Sequence, residues 1–161
     1  MSQYIALYPN LYTIYNIKKY YYNSIKDFQP NEDHKLHCTL RFWKSDTLND
    51  MICYDLLQFP HFLEGIETRA RGLELFGDCL VLLLEKNDSI MYLQQSIDKV
   101  VQNHGGEPND FGDWEPHITL CKSLIIPECD IMDENIQLES LKFWVEQEKN
   151  KYESIFIRPL Y

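Results

Sequence analysis

Two short stretches of this sequence carry the same pair of polar side chains. His-Cys-Thr-Leu occupies positions 37–40, and His-Ile-Thr-Leu occupies positions 117–120. On a β-strand, residues two apart point to the same face, so each stretch presents an imidazole and a hydroxyl together. The alternate residues, such as Cys38 and Leu40, face the other way and can anchor the strand in a core. We therefore interpret the two stretches as one candidate site.

The chemistry that suits this residue set is phosphodiester cleavage. Two imidazoles facing one phosphorus atom can act as general base and general acid near neutral pH. One of His37 and His117 would take a proton from water or from a ribose 2′-hydroxyl, and the other would protonate the leaving oxygen. The hydroxyls of Thr39 and Thr119 would donate hydrogen bonds to the non-bridging oxygens. The pattern leaves open which histidine is the base, and it predicts that the site holds no metal and no cofactor.

Other residues of the two motif strands and of a nearby strand are candidates for contacting a substrate. Regular alternation places Arg41 and Trp43 on the same face as His37, where they would contact a phosphate and stack on a base. The ordinary alternatives are a surface arginine and a core tryptophan. Arg69 and Arg71 either line the cleft or lie on an exposed strand face.

Aromatic residues outside the motif strands are candidates as well. Trp114 and Phe111 lie in the turn-rich loop before the second motif, and functional residues concentrate in such loops. Tyr8 and Tyr12 lie where the first strand turns into the first helix. We expect them near the wall of a cleft.

Cysteine and zinc chemistry are weaker alternatives. The five cysteines form no C-x-x-C pair, which is typical of reduced core cysteines in a reducing compartment. Cys38 should point away from His37, so it lacks a base. A zinc-dependent hydrolase using His34, His37 and nearby acidic residues is an alternative, although a three-residue spacing puts the two histidines on opposite faces of a strand.

The motifs lie in a plan of elements that occurs twice. Each half predicts a strand, an amphipathic helix and then a motif strand. The predicted strands are 3–8 and 35–42 in the first half, and 79–85 and 117–124 in the second. Asn10 caps the first helix, which ends at Pro30, whereas Asn87 or Asp88 caps the second, which Gly105 and Gly106 close.

The helices predicted for the two halves each have an apolar face, and further elements complete the sheet. The first face comprises Leu11, Ile14, Ile17, Tyr21, Ile25 and Phe28, and the second comprises Ile90, Leu93, Ile97, Val100 and Val101. We also predict a short helix over 46–59 capped by Asp46, a strand over 62–76 interrupted near Gly72, and a final hairpin of strands 136–146 and 152–159. The sum is an α+β fold of about seven strands, in which a pseudo-twofold brings the motif strands together across a central cleft.

Composition restricts the partners. A chain of 161 residues indicates one domain, 1–161, with two internal lobes, roughly 1–60 with the C-terminal strands and 62–124. We find no leader segment and no apolar run that could span a membrane, and we expect a cytoplasmic protein. The formal charge of −10 argues against a long nucleic acid but not against a small nucleotide in a locally basic cleft. The oligomeric state stays open.

Together, the duplicated plan and the two tetrapeptides resemble the two-histidine (2H) phosphoesterase superfamily. The segment 113–120, Asp-Trp-Glu-Pro-His-Ile-Thr-Leu, is especially similar to the second motif of LigT-type members, in which Pro commonly precedes the His. The resemblance implies a bilobal α+β fold and metal-independent phosphodiester chemistry, with His37, Thr39, His117 and Thr119 as the catalytic set. LigT-type members often have Arg five positions after the second His, where this chain has Lys122, a point charge instead of a planar clamp.

The resemblance also implies a range of substrates. Relatives act on 2′,3′-cyclic phosphates, 2′,5′-linked oligoadenylates, RNA ends or cyclic oligonucleotide messengers. The small size, acidic balance and aromatic content favour a small nucleotide, and we expect a cyclic oligonucleotide signal of the kind that viral anti-CBASS nucleases cleave. For a viral protein, the expected location is the host cytoplasm. The alternatives are a 2′,3′-cyclic phosphate or 2′,5′-oligoadenylate phosphodiesterase, or a non-catalytic nucleotide-binding module.

Overall fold

The computed structural model describes residues 1–22, 36–45, 50–58, 65–107 and 114–160, and it contains an antiparallel sheet with helices on it. The strands within these residues are β1 (Ser2–Pro9), β2 (Cys38–Lys44), β3 (Ile66–Phe76), β4 (Cys79–Leu84), β5 (His117–Lys122), β6 (Asn135–Glu148) and β7 (Lys151–Pro159). The helices are α1 (Leu11–Ile17), which a π-helical stretch (Lys18–Tyr22) continues, α2 (Met51–Leu57) and α3 (Asp88–Asn103). The predicted α+β class is confirmed.

Strand β6 joins the two halves of the sheet. The order is β2-β1-β6-β3-β4-β5, and β7 pairs with β6 beside this path. Residues 138–145 of β6 pair with β1, whereas residues 135–138 pair with β3. The predicted final hairpin is therefore present, but its first strand lies at the centre of the sheet. One half is β2-β1-β6, with β7 on the outer part of β6, and the other is β5-β4-β3.

The two halves share their irregularities as well as their order. In β2, Ile5 pairs with Arg41 and Ala6 pairs with Thr39, so Leu40 is an extra, bulged residue. In β5 the register shifts in the same way at Leu120. Both bulges fall at the last residue of the His-x-Thr-Leu motif. This match supports the twofold-related plan that the sequence predicts.

The core lies between the sheet and the helices. Cys38, Leu40, Ile118 and Leu120 are fully or almost fully buried, as the alternation predicts. All five residues of the predicted apolar face of α3 are buried too, and Asn87 caps that helix by accepting a hydrogen bond from the amide of Ile90. Apolar packing on the core side therefore holds the two motif strands in place.

The first helix departs from the prediction. Asn10 caps α1 as expected, through the amide of Thr13. However, Leu11 is 83% exposed, and Thr13 is buried because its hydroxyl accepts a hydrogen bond from the amide of Gln137 in β6. The expected buried position of Leu11 was wrong, since this polar contact sets the rotation of the short helix. The predicted positions Ile25, Phe28 and Pro30 lie outside the described residues.

Smaller differences concern element ends. Asp50 rather than Asp46 precedes α2, and Asp46 lies outside the described residues. Strand β3 runs through Gly72 with a register shift between Ala70 and Gly72 that leaves Arg71 bulged. Gly77 turns β3 into β4 with a φ of 62°, a conformation that glycine adopts without strain. None of the described helices has the length and apolar character needed to cross a membrane.

Candidate active site

The two motif strands approach each other, although they are the first and last in the strand order. Cα atoms of β2 and β5 come within 8 Å of each other. The amide of His117 donates a hydrogen bond to the thiol of Cys38, and the indole Nε1 of Trp114 donates to the carbonyl of Thr39 at 3.2 Å. The structure therefore brings the two tetrapeptides together although 80 positions separate them in the chain.

Within each motif, the histidine and the threonine face away from the core. All four side chains are partly exposed, whereas the residues between and after them are buried. Nδ1 of His117 lies 2.8 Å from the carbonyl oxygen of Glu115 and donates to it, which makes Nε2 the acceptor nitrogen of the neutral ring. The edge of the Phe76 ring lies against this imidazole, with 4.7 Å between the ring centroids.

His37 lies against an aromatic surface that sequence reasoning largely missed. We call Tyr4, Tyr8, Trp144 and Tyr152 the aromatic wall. The imidazole stacks on both Tyr4 and Tyr8, each with 5.6 Å between ring centroids, and Tyr4 in turn contacts Trp144 and Tyr152. Burial raises the pKa of Tyr8 well above its usual value, so its phenol is neutral at physiological pH. The wall offers neutral π surfaces beside one of the two histidines.

Lys142 is a cation of the same sheet face. Ala6 pairs with Thr39 on one side and with Lys142 on the other, so the lysine lies in the same row across the sheet as the first threonine. Its Nζ lies 4.4 Å from the centroid of the Tyr8 ring. Residues 138–145 alternate between apolar and other side chains. This alternation predicts that Ser140, Lys142 and Trp144 share one face of the strand. Only the position of β6 beside β1, which the sequence did not reveal, places that face at the site.

The expectation that Arg41 and Trp43 share the face of His37 was wrong. The bulge at Leu40 shifts the alternation by one residue and turns both side chains to the core side. Arg41 is only 5% exposed; its Nε donates to Asp98 at 2.7 Å, and its guanidinium also donates to the carbonyls of Phe42 and Glu107. Trp43 is buried against the ring of Phe143.

The remaining candidates have different surroundings. Trp114 is half-buried, and its indole contacts the first motif strand through the carbonyl of Thr39. Lys122 is on the face of His117, because the bulge at Leu120 turns it there, and it pairs with Asp78 at 3.2 Å. Tyr12 is 70% exposed and lines an open cavity of about 530 Å³ that none of the four motif residues line. Phe111 lies outside the described residues.

The segment just before His117 is held by charges. The carboxylate of Glu115 receives Arg71 Nη2 at 2.5 Å and Lys86 Nζ at 3.0 Å. The backbone carbonyl of the same residue orients His117. Glu115 therefore contacts the two cations through its side chain and the histidine through its backbone. No local pattern indicates this contact, since the three partners come from three separate segments.

The structure bears on the cysteine and metal alternatives too. Burial raises the pKa of the Cys38 thiol to about 12, despite the hydrogen bond from His117, so the thiol is neutral at physiological pH. Among the described residues, no group of three His, Cys, Asp or Glu side chains is arranged to hold a metal ion. His34, which the zinc hypothesis requires, lies outside the described residues.

Several solved structures have the same fold over nearly the whole chain. E. coli LigT in complex with 3′-AMP superimposes with a TM-score of 0.72 at 13% identity, covering 98% of this chain and 97% of LigT. TT0787 of Thermus thermophilus gives 0.71 at 18% identity, covering 99% and 98%. The MHV ns2 PDE domain gives 0.60 at 13% identity, covering 100% and 89%. No protein-family model and no curated protein sequence matches the chain.

These similarities establish the fold. The chain has the two-histidine phosphoesterase fold, as the resemblance of its motifs predicted. At identities of 18% or less, the activity rests on the residues of the site itself.

Proposed function

We propose that this protein is a metal-independent phosphodiesterase that cleaves a small nucleotide. The observation that carries the proposal is the close approach of two His-x-Thr pairs on β2 and β5, whose Cα atoms come within 8 Å, with each pair facing away from the core. The proposed unit is one catalytic domain, 1–161, with its two lobes on either side of the site, acting in the cytoplasm.

In the proposed reaction, the phosphorus atom lies between the imidazoles of His37 and His117. One imidazole removes a proton from the attacking hydroxyl as the new P–O bond forms, and the other protonates the leaving oxygen as the old bond breaks. The hydroxyls of Thr39 and Thr119 donate to the non-bridging oxygens, and Lys142 adds a positive charge in the row of Thr39. The Nδ1 contact of His117 keeps its Nε2 available for the proton transfer.

The substrate we propose is a cyclic oligonucleotide signal, with 2′,3′-cyclic phosphates and 2′,5′-oligoadenylates as alternatives. The aromatic wall beside His37 supports a nucleotide, because bases stack on aromatic rings in any sequence. LigT, which has the same fold, has been crystallised with 3′-AMP and with NADP+, both small nucleotides. The formal charge of −10 also favours a short anion over a long one.

The test is product analysis by chromatography on these three substrate classes with EDTA present. We expect one class to be cleaved by the wild type, and cleavage to fall at least about 1,000-fold in both His37→Ala and His117→Ala, since proton transfer by each residue is removed. His104→Gln is the matched control, because His104 pairs with Asp55 on α2, away from the motifs.

The outcomes separate the candidates. Cleavage that stops with EDTA would contradict the metal-independent mechanism, and cleavage that survives either motif substitution would contradict the role of that histidine. Tight binding of a nucleotide without turnover would instead identify a binding module.

A further inference from the structure

A pair of cations is linked to the second histidine through Glu115. Arg71 and Lys86 hold the carboxylate of Glu115, and the carbonyl of Glu115 accepts the Nδ1 proton of His117. The side chains of the two cations and of the carboxylate are between 32% and 44% exposed, so a solute can reach them. Two positive charges face one negative charge, which leaves a net charge of +1 in a chain whose formal charge is −10.

The other half of the sheet has the opposite charge at the related position. Arg71 is the bulged residue of β3, between Ala70 and Gly72. The corresponding bulge of β6 falls at Glu139, because Tyr8 pairs with Ser140 and Pro9 pairs with Leu138. The site is therefore asymmetric: an aromatic wall and an acidic bulge lie on the side of His37, and a basic bulge lies on the side of His117.

We propose that Arg71 and Lys86 bind a second phosphate of the substrate, one that is not cleaved. In the free protein, the carboxylate of Glu115 takes the position of this anion, and a phosphate that approaches the two cations competes with it. A guanidinium and an ammonium together can give a phosphate several charge-assisted hydrogen bonds. The inference rests on the proposed function and refines its substrate class.

Two cations described above are engaged elsewhere. Lys142 lies in the row of Thr39, where it serves the phosphate that reacts, and Lys122 is 81% exposed and paired with Asp78. A substrate with at least two phosphates can therefore use both positions at once. This favours oligonucleotides over a 2′,3′-cyclic mononucleotide, which has only one phosphate.

The test is a calorimetric comparison of two ligands that differ by one phosphate, 3′-AMP and adenosine 3′,5′-bisphosphate. We expect the bisphosphate to bind wild-type protein about tenfold more tightly, the size of one charge-assisted hydrogen bond at a partly exposed site. Arg71→Ala and Lys86→Ala should each remove most of this preference. Arg69→Ala, which deletes the same charge from an exposed position of the same strand, should keep it.

A further variant distinguishes binding from a loss of structure. Glu115→Gln removes the competing charge and retains the carbonyl that orients His117, so it should increase the preference for the bisphosphate. Damage to the fold would not produce a gain.

Three results would overturn the inference: equal affinity of the two ligands, a preference that survives both Arg71→Ala and Lys86→Ala, or no binding of either ligand. Neither ligand needs to be cleaved in this experiment. Failure of the proposed catalysis is therefore seen separately, as a lack of turnover by a protein that still prefers the bisphosphate.

Discussion

A single extra residue in each motif strand decides which side chains reach the site. Without the bulge at Leu40, regular alternation would place Arg41 beside Thr39; with it, Arg41 faces the core and ties β2 to Asp98 of α3 and to the carbonyl of Glu107. The same shift in β5 has the opposite effect on a cation, because it turns Lys122 toward the face of His117. A tetrapeptide pattern alone cannot show where alternation breaks.

We predict that Arg41 contributes to stability rather than to substrate binding. Arg41→Ala should lower the free energy of unfolding by about 3 kcal/mol, since it leaves Asp98 and two carbonyls without their buried cationic donor. Urea denaturation measures the change, and Arg69→Ala, at an exposed site, should shift it by less than about 0.5 kcal/mol. An Arg41→Ala protein of native stability but weakened nucleotide affinity would contradict this.

We predict that Cys38 is chemically inert in the folded protein. Its pKa of about 12 lies above the usual value for a thiol, so the reactive thiolate is scarce below that pH. Mass spectrometry after iodoacetamide treatment at about pH 8, near the usual pKa of a free thiol, should show Cys38 unmodified in buffer and alkylated in urea. Cys38→Ala should keep the wild-type activity. Rapid alkylation of the folded protein under the same conditions would show that the thiol is accessible and ionised.

At the scale of elements, the backbone that follows α3 packs closely against the helix at Gly106. A Cβ at Gly106 would lie 2.2 Å from Cγ1 and 2.8 Å from the carbonyl oxygen of Val101, whereas a Cβ at Gly72 would meet nothing within 4 Å. Gly106→Ala should therefore lower stability by about 1–3 kcal/mol through overpacking. Gly72→Ala is the control and should leave the melting temperature nearly unchanged. Equal melting temperatures for the two variants would contradict the prediction.

The sequence predicts elements well where local physics is sufficient. Strand β4, the apolar face of α3 and both caps, Asn10 and Asn87, follow from alternation, helical period and capping chemistry, and all are present. The exposure of Leu11 could not be predicted, because it depends on a hydrogen bond between Thr13 and β6, far along the chain.

The candidate site divides in the same way. His37 and Thr39 share a face because residues two apart on a strand point the same way, so the motif alone predicts it. The aromatic wall and the charge cluster around Glu115 depend on strand order, because Trp144 and Lys142 reach the site only through the insertion of β6 beside β1. Long-range pairing of this kind leaves no local pattern.

At the scale of the whole molecule, β6 makes the two halves one sheet. It pairs with β1, β3 and β7, and its Leu138, Leu141 and Phe143 are buried in the common core. A chain cut after Glu134 should therefore show no cooperative transition in urea, even though it retains both His-x-Thr motifs. A sharp transition by circular dichroism in this truncated chain would show that the part before β6 folds without the joining strand.

The matching bulges at Leu40 and Leu120 have a consequence for descent. An insertion at the same step of the same tetrapeptide in both strands is what duplication of one gene segment would produce. In such a duplication each copy brings one histidine and one threonine, and a site with two imidazoles needs both copies. The two halves now differ in their surroundings, with aromatic residues beside His37 and a basic pair joined through Glu115 to His117.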